Sequence, residues 1–274
     1  MPTLEVPGAT IAYEDSGPPP DRPDAPTVVF GHGLLFSGWM FHAQVAALSS
    51  RYRCVTVDWR GQGDSPPTRG GDYEMDTLFS DAVALVEHLG VGPVHWVGLS
   101  MGGFVGQRIG ARRGDLLRSL TLLDTSPDRE PVGSAVKDLA MANVYRLVGT
   151  RPLRSAVLKI MFGPTFLADP ASRPTTDRFI ERLERCDRGG MRHAIIAVAT
   201  RKPVYEELAA VRVPTLVVTG ADDRPTPPDK GRRIADRIPG AQLEIVPQCG
   251  HSSTVEQPAT ITRLIAQFLA SVDA

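Results

Sequence analysis

The chain has 274 residues, 42% of them hydrophobic, with 30 basic and 31 acidic side chains and a formal net charge of −1. That length suits one large α/β unit that buries a core without disulfides or metal. The balanced charge excludes a gross field for nucleic acid or anionic lipid, and no apolar run approaches the ~20 residues needed to span a bilayer.

In chain order, two short strands are expected at Thr3–Val6 and Ala9–Glu14, followed by a Pro, Gly and Asp-rich loop from Gly17 to Pro26. Thr27–Phe30 is a continuous apolar run, which suits a strand covered on both faces. Cys54–Val57, Val94–Val97, Leu120–Leu123, Thr215–Val218 and Leu243–Val246 repeat that pattern. Helical spacing appears between them at Met40–Leu48, Asp76–Leu89, Met101–Arg113, Pro228–Ile238 and Ala259–Ser271. In Asp76–Leu89 the stripe Leu78, Phe79, Ala82, Leu85, Val86 and Leu89 forms one apolar face for a sheet. Strands alternating with helices predict an α/β class with a mostly parallel, eight-stranded sheet. The rhythm stops after Asp124. Helix-like stretches at Ser134–Leu147, Leu153–Met161, Thr176–Cys186 and Met191–Ala199 follow, separated by Gly and Pro. The expected organisation is a core of residues 1–126 and 209–274 and a helical lid (cap) insertion at 127–208, the alternative being a decoration with no role at the site. No internal repeat is present.

Three dispersed cysteines, Cys54, Cys186 and Cys249, lack zinc-ligand spacing and fit a reducing compartment. The opening Met1-Pro2-Thr3-Leu4-Glu5 lacks a signal-peptide pattern. A cytoplasmic protein without metal or organic cofactor, and without nucleic-acid or membrane partners, is expected. A homo-oligomer formed through the insertion helices stays open.

The strongest chemical signal is Gly98-Leu99-Ser100-Met101-Gly102, between a strand pattern and a helix pattern. A nucleophilic serine at a sharp strand-to-helix turn needs glycine two residues to either side, because larger side chains collide there. The turn also sets the hydroxyl at a helix N-terminus, which favours developing negative charge. Such a hydroxyl needs a base, and His251 in Cys249-Gly250-His251-Ser252 follows the last strand pattern, where parallel sheets build sites. The base needs an orienting carboxylate. Asp222 and Asp223 both follow the Thr215–Val218 run, and spacing alone does not separate them. Asp124 also ends a strand, but reads better as a turn residue ahead of Ser126-Pro127. For the oxyanion, the backbone N–H groups of Leu34, after Gly31-His32-Gly33, and of Met101 are the natural pair. His32 reads as a structural hydrogen-bonder that shapes this turn.

These motifs together resemble the α/β-hydrolase superfamily over essentially the whole chain. His32-Gly33 matches its oxyanion loop, and Asp58-Trp59-Arg60-Gly61-Gln62-Gly63-Asp64-Ser65 its D-x-R-G-x-G-x-S turn. Gly220-Ala221-Asp222-Asp223-Arg224-Pro225-Thr226-Pro227 resembles its acid loop, and Gly250-His251 with Glu256-Gln257-Pro258 its terminal segment. The resemblance implies that Asp223 is the acid. Its nearest flavour is the 3-oxoadipate enol-lactonase-like group of esterases and lactonases. Serine at position 100 argues against the dehalogenase and epoxide hydrolase branches, which use aspartate there. The implied activity is hydrolysis of a small-molecule ester or lactone through an acyl-enzyme on Ser100, His251 and Asp223. The alternatives are a C–C bond hydrolase, a haloperoxidase or perhydrolase-like enzyme, and a non-catalytic ligand receptor. Phe36 and Trp39, with Phe162 or Phe166 from the insertion, are candidate pocket residues, the alternative being core packing. Few charged residues flank the motifs, so a neutral or weakly polar substrate is expected.

Overall fold

The computed structural model describes residues 1–68 and 70–274. Eight strands form one sheet: β1 (Thr3–Val6), β2 (Ala9–Asp15), β3 (Thr27–Gly31), β4 (Arg53–Val57), β5 (Val94–Leu99), β6 (Leu117–Leu123), β7 (Thr215–Gly220) and β8 (Gln242–Val246). Their spatial order is β1-β2-β4-β3-β5-β6-β7-β8. β1 and β2 pair antiparallel, β2 joins β4 antiparallel, and β3 to β8 are parallel. The expected α/β class with a mostly parallel eight-stranded sheet is what the chain adopts.

Parallel neighbours need crossover helices, which bury both faces of the central strands. One face of the sheet packs on α2 (Met75–Leu89) and α3 (Met101–Arg112), whose Leu78, Leu85, Phe104 and Ile109 join Val29, Val55 and Leu120, with Ile234 of α9 (Pro228–Arg237) beside them. The other face packs on α1 (His42–Leu48) and α11 (Pro258–Val272), through Leu48, Ile261, Ile265 and Leu269 against Val28, Phe30 and Val97. Trp59 and Trp96, both fully buried, fill the space under the loops at the carboxyl ends of the strands.

Between β6 and β7 five helices follow one another: α4 (Val132–Val148), α5 (Arg154–Met161), α6 (Pro164–Ala168), α7 (Arg173–Arg185) and α8 (Arg188–Ala199). The four longer ones cover the four helix-like stretches read from the sequence. Among the described residues no helix is long and apolar enough to cross a membrane.

Three sequence expectations need correction. β8 is an edge strand whose Gln242 and Glu244 face solvent, so it is not covered on both faces. β6 starts three residues before the apolar run, at Leu117, because exposed Arg118 interrupts the hydrophobic pattern without interrupting the pairing. The first predicted helix divides into a 3-10 turn at Gly38–Phe41 and α1. The short helices α6 and α10 (Ser253–Glu256) carry too few residues to show a period.

Candidate active site

Ser100 stands alone between the end of β5 and the start of α3, with φ +51° and ψ −108°. A non-glycine residue in that region stores roughly 1–3 kcal/mol of strain and keeps it only where its surroundings leave no alternative. Here the Ser100 N–H donates to the Leu123 carbonyl at 2.9 Å, and the Thr125 hydroxyl donates to the Ser100 carbonyl at 2.8 Å. A Cβ on Gly98 would run into the Gly102 carbonyl, and one on Gly102 into the backbone of Gly31. The two glycines therefore let β5, α3 and the end of β3 approach closely enough to hold the bend.

Two distant loops meet this hydroxyl. The Ser100 Oγ lies 2.9 Å from Nε2 of His251, and the opposite ring nitrogen lies 3.0 Å from each carboxylate oxygen of Asp223. Ser100, His251 and Asp223 are 6%, 4% and 3% exposed, so the whole chain of contacts is shielded from water. Asp223 also accepts from the Thr226 N–H at 3.0 Å and the Thr226 hydroxyl at 2.7 Å. An ionised carboxylate only accepts, so the proton of neutral His251 belongs on Nδ1 and Nε2 presents its lone pair to the serine. Burial works against charge on His251, but the Asp223 charge and hydrogen bond outweigh it and hold the imidazole pKa above its ordinary value, with Glu256 adding.

The structure brings Asp223 to His251 and leaves Asp222 partly exposed, its N–H on the Cys249 carbonyl at 2.8 Å. Asp124 is more than the turn residue expected. It is fully buried at φ +46°, and its Oδ1 accepts from the Gly220 N–H at 2.8 Å. Burial, reinforced by the neighbouring Asp223 charge, pushes its pKa well above the carboxylate range. A neighbouring like charge disfavours ionisation, so burial and the Asp223 charge act on Asp124 in the same direction.

Beside Ser100, the turn after β3 is tied down one peptide at a time. Gly33 N–H points at the Met40 sulfur (3.4 Å), Leu35 N–H donates to the Gln62 side-chain carbonyl (3.2 Å), and Gly102 N–H donates to the His32 carbonyl (3.1 Å). The N–H groups of Leu34 and Met101 have no acceptor among the described residues. His32 is fully buried, with Nδ1 on the Gly33 carbonyl (2.7 Å) and Nε2 accepting the Trp59 N–H (3.1 Å). Burial lowers its pKa to about 4, so it stays neutral and shapes the turn. Gln62 carried no signal in the sequence, because it fills a variable position of its motif. Its amide also faces the Met101 sulfur at 3.9 Å.

The four aromatics expected near the site form one cluster. Phe36 lies 5.2 Å from Trp39 and 6.3 Å from Phe162, and Phe162 stacks on partly buried Phe166 at 5.2 Å. Phe179 of α7, which sequence reading passed over, sits 4.7 Å from Phe36 at its centre. Next to the cluster opens a cavity of about 110 Å³, lined by Phe36, Trp39, Asp64, Arg182 and Cys186 among others. The Arg182 guanidinium lies 5.4 Å above the Trp39 ring. Among the described residues no group of three or more His, Cys, Asp or Glu stands together as a metal site requires.

Residues 26–258 match the model of the alpha/beta hydrolase fold family. The Mycobacterium tuberculosis protein BpoC, described as a candidate non-heme bromoperoxidase, is 30% identical over 96% of this chain and 99% of its own. Among solved structures, the enol-lactonase of Burkholderia xenovorans LB400 superposes with a TM-score of 0.89 at 26% identity, covering 98% of this chain and 100% of that one. A thermophilic esterase of Thermogutta terrifontis superposes with a TM-score of 0.88, also at 26% identity, covering 99% and 97%.

Proposed function

The chain belongs to the alpha/beta hydrolase fold family and is a hydrolase, and from that premise we propose that it cleaves a carboxylic ester or lactone through an acyl-enzyme on Ser100. The observation that carries the reading is the unbroken run of contacts from the Ser100 hydroxyl through His251 to Asp223. The serine oxygen attacks the substrate carbonyl while its proton passes to Nε2 of His251. Asp223 stabilises the imidazolium that results and keeps the ring in one orientation. The free N–H groups of Leu34 and Met101 take the negative charge that forms on the carbonyl oxygen, each worth roughly two to three orders of magnitude in rate. Collapse of the tetrahedral species breaks the bond to the alkoxy oxygen, which receives the proton from His251 and leaves as the alcohol. In a lactone that hydroxyl stays attached to the acyl chain. His251 then deprotonates a water, which attacks the acyl-enzyme and releases the acid with Ser100 restored.

We read residues 127–208 as a lid whose aromatics, Phe162, Phe166 and Phe179, meet Phe36 and Trp39 above the site. The substrate is a small molecule. Two structural neighbours named for an enol-lactonase and an esterase support carboxylic esters and lactones over carbon–carbon bonds.

The test is a panel of esters and lactones of varied acyl length, run beside Ser100→Ala and a fluorophosphonate probe. The parent is expected to turn over members of the panel and to carry one phosphonate on Ser100. Ser100→Ala is expected to lose about 10⁴-fold or more in kcat. Ester turnover by Ser100→Ala at near-parent rate would reject the assignment, as would a parent that cleaves vinylogous diketones and no ester.

A further inference from the structure

The loop that carries His251 meets the helical insertion along one seam, and the Glu256 side chain stands in it. One carboxylate oxygen accepts from the N–H groups of Gly163 (3.0 Å) and Gly250 (2.9 Å), and the other accepts from Ser252 (3.1 Å). Gly250 and Ser252 are the residues on either side of His251. Gly163 is the joint between α5 and α6. A second tether runs alongside, from the Ser252 hydroxyl to the Met161 carbonyl at 2.6 Å. The two backbones are in contact where they meet: a Cβ on Gly163 would stand 2.8 Å from the Gly250 nitrogen, and one on Gly250 would strike the backbone of Gly163. An ionised carboxylate is acceptor-only, so three N–H donors converging on it match its charged form, and such bonds are roughly twice as strong as neutral ones.

We propose that Glu256 is a positioning residue which fixes His251 by locking the peptides on both sides of it to residue 163, so that the helical insertion helps to build the active site as well as covering it. The inference rests on the reading of Ser100 and His251 given above. A base 1 Å out of place costs up to about 100-fold in rate, and no other side chain among the described residues accepts from both Gly250 and Ser252. The ionisable groups facing His251 are Asp223 from the loop after β7, Asp124 from the end of β6, and Glu256. Burial disfavours the charged form of Asp124. Burial pushes the Glu256 pKa up, against the pull of its three N–H donors, and the charges of Asp223 and Glu256 both favour the protonated imidazole.

Three variants separate reach from charge. Glu256→Gln keeps the length of the side chain, but its amide nitrogen cannot accept, so at least one of the three N–H groups loses its partner and the charge is gone. Gly163→Ala pushes the insertion off the base loop and leaves the charge in place. Active sites are counted by fluorophosphonate titration, so kcat is read per working site and partial misfolding does not enter. Glu256→Gln is expected to lower kcat by roughly 10–100-fold with KM within about twofold, and to move the acid limb of the pH–rate profile to lower pH. Gly163→Ala is expected to lower kcat over the same range with the acid limb unmoved. Glu256→Asp, charged but too short to span the seam, is expected to restore the acid limb without restoring kcat. A role confined to folding would change the yield of titrated sites and leave kcat per site and the limb at parental values, and that result overturns the proposal. If Glu256→Gln yields no folded protein, a parental kcat per site for Gly163→Ala overturns it alone. Turnover that survives Ser100→Ala sinks the serine mechanism itself, whereas loss there with unaffected Glu256 variants sinks only the positioning role.

Discussion

At the elbow, backbone meets backbone: Gly98, Gly102 and Gly31 approach so closely that a single added methyl has nowhere to go. In the helical insertion the same chain leaves Val132 71% and Leu147 79% exposed on α4, and reaches the site through a few aromatic rings and the Gly163 seam. The charge differs too. Residues 127–208 carry 14 basic and 10 acidic side chains, the rest of the chain 16 and 21. The contrast teaches that the core places the nucleophile by steric exclusion, which tolerates almost no change. The insertion places its contribution mainly by side-chain packing and hydrogen bonds, which can be weakened stepwise, and meets the base loop backbone to backbone at one point, Gly163 against Gly250.

Substitutions can break or sharpen that contrast. The largest effect is expected within the core, from Asp223, one of the two buried acids beside His251. Asp223→Asn should cost about 10⁴-fold in kcat and move the acid limb of kcat/KM to lower pH, because the Asp223 charge is what holds the His251 pKa up. The parent limb should lie above the ordinary histidine value of about 6.5, since neutral His251 is the active form. Asp124→Asn replaces a carboxyl whose ionisation burial disfavours and should leave both kcat, to within about threefold, and the limb in place. An equal loss from the two variants, read by pH–rate profiles, would show that burial does not separate their roles.

Next come two packing changes, one from each region. Gly102→Ala forces the elbow off the Gly31 backbone and should destabilise by about 3 kcal/mol or more while also abolishing phosphonate labelling. Phe179→Ala empties the centre of the aromatic cluster and should cost about 3 kcal/mol but leave Ser100 reactive toward the probe. Thermal unfolding together with labelling rate distinguishes the two, and loss of labelling in Phe179→Ala would erase the distinction drawn between the regions. The smallest effect is expected on α4. Leu147→Ser removes an exposed side chain and should change stability by less than about 0.5 kcal/mol, and a larger loss of Tm would mean that this face is covered in solution.

Much of this was readable from local pattern. Apolar runs bounded by turns placed the five inner parallel strands because a strand covered on both faces has little other composition open to it. The same logic failed at β8, where an edge position relaxes the constraint and Glu244 is tolerated. Gly98 announced Ser100 because its clash, with the Gly102 carbonyl, acts within four residues of chain, whereas the need for glycine at 102 comes from the distant Gly31 backbone. Asp222 and Asp223, by contrast, are chemically identical neighbours, and only the path of the loop decides which one meets the imidazole.

What the amino-acid order determined by itself was the class of fold, the strained turn under Ser100 and the sequence of candidate groups, since each follows from sterics or periodicity over a few residues. The burial that raises the Asp124 pKa, the hold of Gln62 on Leu35 and the reach of Glu256 across 93 positions to Gly163 were decided in three dimensions alone. Contacts between segments that far apart depend on how whole layers pack, and no short-range pattern records them.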